Sequence, residues 1–92
     1  MNLYHAAKAG DVAELLRILA GGYADVNWVN EAEERRTAVH VACAAGHAVA
    51  LECLLLNGGD MLVKDEKDMA PLDYANSSGS FEVVSVLIAH SS

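Results

Sequence analysis

One pattern occurs more than once along this chain. Thr37-Ala38-Val39-His40-Val41-Ala42-Cys43-Ala44-Ala45-Gly46 aligns with Ala70-Pro71-Leu72-Asp73-Tyr74-Ala75-Asn76-Ser77-Ser78-Gly79 at a spacing of 33, and Leu54-Leu55 then falls on Leu87-Ile88. Towards the N-terminus, Leu3 to Gly10 matches Val39 to Gly46 at a spacing of 36, with the three extra residues lying between Gly22 and Arg36. Length change confined to a loop is what stacked repeats tolerate. A single copy of such a unit cannot bury its apolar face alone, so the copies must cover one another. Ninety-two residues allow one domain, 1–92, with repeats near 1–36, 37–69 and 70–92.

Each unit reads as two short helices. Thr37 is a good N-cap, and Pro71 suits a first helical position, where its missing N–H costs nothing. Gly10, Gly46 and Gly79 suit left-handed ends for the first helices. Second helices follow over Val12 to Ala20, Ala48 to Leu56 and Phe81 to Ala89, with apolar residues at helical spacing, as in Val12, Leu15, Ile18 and Leu19. Ala6, Ala42 and Ala75 share one slot, where a small side chain lets neighbouring helix pairs approach closely. Between units, Gly22 to Asn27 and Gly58 to Val63 read as turns followed by short extended stretches, hence hairpin-like loops.

Thr37-Ala38-Val39-His40-Val41-Ala42, Gly46-His47, Leu54-Leu55 and Gly58-Gly59-Asp60 together resemble an ankyrin repeat. The resemblance covers nearly the whole chain and implies an all-α solenoid of helix pairs with hairpin-like loops. The sequence departs from the family pattern at Ala38 (for Pro), Tyr4 and Asp73 (for His) and Asp68 (for a hairpin glycine), and its third unit stops before any hairpin. A narrower stretch, Ala24-Asp25-Val26-Asn27-Trp28-Val29-Asn30, is similar to ankyrin segments that follow the catalytic domain in Arf GTPase-activating proteins. That resemblance implies a structural, non-catalytic segment packed beside such a domain. Two cysteines cannot build the zinc finger of the activating domain itself.

Thirteen acidic against six basic residues give a formal charge of −7, which argues against nucleic acid and anionic lipid and favours a basic partner. The greasy window from Ala38 to Leu56 holds Glu52, His40 and His47, so a membrane span is not expected. Cys43 and Cys53 fit reduced thiols of a cytoplasmic protein. His40, Cys43 and His47 would share a face on an unbroken helix, but Gly46 should end that helix. No metal, no cofactor and no catalytic residue is therefore expected. A cysteine-dependent enzyme is the reading that a depressed thiol pKa would revive.

The expected function is a protein–protein interaction module that takes a protein or peptide on its concave face. Candidate contacts are Trp28, Asn30, Glu31, Glu33 and Glu34 from the first loop, Lys64 and Asp65 from the second, and Val41 and Tyr74 from the first helices. Trp28 is either an interface anchor or a ring packed on Tyr23, Val26 or the next repeat. The acidic tips either maintain solubility or select a basic partner. The apolar run Val83 to Ala89 points to a cut from a longer protein or to self-association through the C-terminal helix.

Overall fold

The computed structural model describes residues 2–91. Its helices are α1 (Leu3–Ala9), α2 (Val12–Ala20), α3 (Ala38–Ala45), α4 (Ala48–Leu56), α5 (Pro71–Ser78) and α6 (Phe81–His90), with a single 3-10 turn at Glu31–Glu33. The described residues contain no strand, and one isolated bridge pairs Asn30 with Arg36. The protein is thus an all-α solenoid.

Local chemistry sets the helix ends. The Asn2 side chain accepts from the His5 N–H at the start of α1, and Asp11 does the same for Glu14 at α2. At α3, Thr37 Oγ1 accepts from His40 N–H while His40 Nδ1 accepts from Thr37 N–H, so two orphan donors are satisfied reciprocally. Pro71 opens α5, where the Asp73 carboxylate reaches back to Ala70 N–H at 2.8 Å. All three first helices end on a glycine in the left-handed region, with φ of 70°, 76° and 70° at Gly10, Gly46 and Gly79. Gly10 is doubly constrained, because a Cβ there would lie 2.7 Å from the His47 ring.

The first helices form one row, α1 on α3 on α5, and the second helices form another, α2 on α4 on α6. Between the rows lies one core of Leu15, Val39, Leu51, Leu54, Val83 and Leu87. Ala6, Ala42 and Ala75 are fully buried, as their shared small-residue slot requires.

The loops are hairpin-like but of unequal length. In the first, Asn30 N–H donates to Arg36 O and the turn encloses Glu31 to Arg35. In the second, Asp65 N–H donates to Met69 O and encloses only Glu66 to Asp68. Two of the three extra residues of the first unit therefore sit at its hairpin tip. Asp68, where the family favours glycine, is left-handed at φ 62°, and Asp tolerates that region better than most residues.

Candidate functional site

The hairpin tips are braced by the first helices through one position in each unit. His40 Nε2–H donates to Met69 O at 2.9 Å and so ties α3 to the second hairpin. Tyr4 holds the matching place in the first unit, and its hydroxyl donates to Glu33 Oε1 at 2.5 Å. Lys8 Nζ reaches the same carboxylate at 3.1 Å. The Tyr4 hydroxyl holds the Glu33 carboxyl below the usual range, with Lys8 adding to the effect, while burial and then that carboxylate push the Tyr4 phenol up.

Trp28 packs on Tyr4, ring edge to ring face, with centroids 5.9 Å apart and planes at 84°. Tyr23 is almost fully exposed and does not cover the ring, whereas Ala38 of the next repeat's first helix lines the same cavity as Trp28. Trp28 nevertheless remains 46% exposed. It is a ring held in place with one face open.

Three candidate contacts are buried, and for them the expectation of a contact surface is corrected. Val41 is covered because α3 is the middle helix of its row and is flanked on both sides. Asn30 spends its side-chain oxygen on Ala32 N–H. Asp65 is buried too, its carboxylate accepting from Lys67 N–H at 2.9 Å, Met69 N–H at 3.0 Å and the Tyr74 hydroxyl. Burial would raise the Asp65 carboxyl, but the hydrogen bonds from Tyr74 and the two amides outweigh it and hold the carboxyl low. Tyr74 is half-buried against His40, ring edge to ring face at 5.7 Å, and burial with the Asp65 hydrogen bond pushes its phenol up to about 12. Val41 belongs to the core, and Asn30 and Asp65 shape the hairpins.

The acidic tips are largely neutralised, a feature that sequence order shows only in Glu33-Glu34-Arg35-Arg36. Glu31 pairs with Arg35 at 2.6 Å, Glu33 with Lys8 and Arg36, Glu34 with Lys67 at 3.1 Å, and Lys64 with Asp68 at 3.6 Å. Arg17 pairs with Glu14, so every lysine and arginine faces a carboxylate. The surplus negative charge lies on carboxylates such as Asp11, Asp25, Asp60 and Glu82.

The same residues leave little for catalysis. Both His40 ring nitrogens are engaged, Nδ1 with Thr37 and Nε2 with Met69 O. Among the described residues no three His, Cys, Asp or Glu side chains converge as a metal site would. Cys43 is fully buried and desolvation pushes its thiol up to about 12, the opposite of an activated nucleophile. Cys43 is accordingly expected to resist alkylation in native protein at pH 7.5 and to react once denaturant is added. Mass spectrometry of the labelled peptide checks this, and fast native labelling at Cys43 would contradict it. None of the described helices is long and apolar enough to cross a membrane.

The paired helix rows, left-handed glycine ends and braced hairpins define a solenoid of stacked helix–turn–helix units. The family model for ankyrin repeats, three copies, matches residues 3–92, and the chain belongs to the ankyrin repeat family, whose members are generally protein–protein interaction modules. It is 37% identical over 79 residues to chicken (Gallus gallus) Arf-GAP with coiled-coil, ANK repeat and PH domain-containing protein 2, covering 86% of this chain and 10% of that protein. Against mouse (Mus musculus) ARF GTPase-activating protein GIT2 the identity is 33%, over 95% of this chain and 12% of that protein. The chain thus spans only about a tenth of these relatives' length. Among solved structures, the human ASB11 ankyrin repeat domain superposes with a TM-score of 0.90 at 32% identity, over 99% of this chain and 40% of that one.

Proposed function

We propose that this protein is a non-catalytic interaction module whose hairpin edge and concave flank receive a protein or peptide. One observation carries the reading: the two tips are strapped together. Glu66 N–H donates to Glu34 O at 2.8 Å, and Lys67 pairs with the Glu34 carboxylate. A partner would therefore meet one continuous, pre-ordered edge, which lowers the ordering cost of association. Trp28 stands at one end of that edge, with Glu31 and Glu34 along it and Lys64 and Tyr74 beyond. Because the tip charges are internally paired, a basic partner would be drawn by the net charge of −7 rather than by the tips alone.

A second reading is favoured by the relatives. The chain would be the ankyrin segment of an Arf GTPase-activating protein, its surface packed beside the catalytic domain and serving that domain's placement.

Both are tested by capture experiments with intact protein against Trp28→Ala and against Glu31→Lys with Glu34→Lys. Truncating an interface anchor costs about 2 kcal/mol or more, so Trp28→Ala is expected to reduce capture of a protein partner at least about thirtyfold. Its melting temperature should fall far less. Loss of stability in proportion to loss of capture would instead mark Trp28 as part of the core. Capture of an Arf GTPase-activating domain added in trans would favour the second reading.

A further inference from the structure

An open-mouthed apolar cavity of about 330 Å³ lies at the N-terminal end of the stack, lined by Leu3, Tyr4, Ile18, Ala24, Asp25 and Trp28 among others. The repeat shows what this space is. Asp25 accepts from Asn27 N–H in the first loop as Asp60 accepts from Leu62 N–H in the second, so the two loops correspond residue by residue here. The second unit's version of the cavity is therefore bounded by Val39, His40, Leu54, Gly59 and Asp60. There the three helical side chains are fully buried, and Gly59 is pressed so close that a Cβ would lie 2.8 Å from Leu54 O.

The preceding loop fills that second version. Val26 packs on the core, and the Asn27 amide donates to Gly58 O at 3.1 Å while its oxygen accepts from Asp60 N–H at 2.7 Å. The first loop has one residue more between the helix-end glycine, Gly22 for Gly58, and the shared aspartate. Counted back from that aspartate, the backbone groups are Tyr23 O and Asp25 N–H, and neither has a hydrogen-bond partner among the described residues. The repeat-to-repeat interface thus continues past the first unit as an apolar slot with one acceptor and one donor at its rim.

We propose that this slot takes an extended loop of another protein that presents a branched aliphatic residue followed by asparagine. The chain's own Val26-Asn27 is already engaged, and the second loop carries Leu62 where the amide would be needed. A second copy therefore does not supply the occupant. The slot shares Trp28 with the proposed edge but uses neither Glu31, Glu34 nor the strap between the tips, so it stands whether or not the tips meet a partner.

The probe is a synthetic peptide copying Gly22 to Asn30 with Trp28→Ala, leaving Trp28 of the intact protein as the sole indole. Titration should saturate below about 1 mM, shift the Asp25 amide resonance downfield and move Trp28 emission to the blue, as for a rim hydrogen bond and a closed apolar slot. A peptide with Asn27→Ala should bind about tenfold or more weakly, since it loses two hydrogen bonds. Ala24→Arg in the protein should abolish the response, and Ala24 is exposed enough for the fold to survive, as circular dichroism will show. Glu31→Lys should leave it intact. No saturable response at 1 mM, equal binding of the alanine peptide, or persistence in Ala24→Arg would overturn the proposal. A concentration-dependent Asp25 shift without peptide would overturn it in favour of a second copy.

Discussion

Leu54→Ala is expected to unfold much of the protein at 37 °C. Leu54 is fully buried where α4 meets the rest of the core, and truncating such a leucine costs about 2–5 kcal/mol through lost burial and the cavity left behind. A three-unit stack has little to spare, because each unit packs only on its neighbours and small domains hold a margin of about 5 kcal/mol at the low end. Urea midpoints read by far-ultraviolet circular dichroism will measure it. The adjacent Leu55 is only half-buried, so Leu55→Ala should cost clearly less. Equal losses at the two positions would mean that α4 is turned differently on its neighbours.

His40→Ala is expected to be nearly as damaging, for a different reason. It leaves Thr37 N–H and Met69 O without their partners, both supplied by one imidazole that is itself fully buried. Each orphaned buried group costs about 1–3 kcal/mol. The ring also predicts a pH dependence. Burial holds the His40 pKa below its ordinary value, with Met69 O opposing only in part, so the unfolded chain takes up a proton more readily than the folded one. The contribution is therefore complete above about pH 6.5, the unfolded value, and is lost as the pH falls through it. Comparing urea midpoints at pH 7.5 and 5.5 for the native chain and His40→Ala will isolate the effect, since the variant should lose this part of the slope. Asp65 has the same sign in a lower window: its depressed carboxyl keeps its contribution until the pH falls below about 4.

How much of this could be read from the residues follows from how far each signal reaches. Helix ends are local, and Thr37, Pro71, Gly10, Gly46 and Gly79 marked them; α6 runs one residue past expectation, to His90. The shared slot of Ala6, Ala42 and Ala75 was legible because the repeat puts three instances side by side. Val41 was misjudged because its helix is covered from both flanks, which no single unit encodes. Asn30 and Asp65 did carry a local sign, since Asn and Asp followed by turn residues fold back on their own backbone, yet their acidity or polarity read first as surface. The pairing of Trp28 with Tyr4, and of Glu33 with Lys8, joins residues more than twenty positions apart. Only the folded chain shows it.

The unequal hairpins have a practical corollary. The Asn30–Arg36 pair closes the first loop at its base, and what lies outside that clasp already exceeds the second loop by two residues. Lengthening a loop that is clasped at its base adds entropy cost only slowly, about 0.6 kcal/mol per doubling. Between Glu31 and Ala32 the molecule therefore offers an insertion point where an epitope or affinity tag could be grafted with the helical stack left undisturbed.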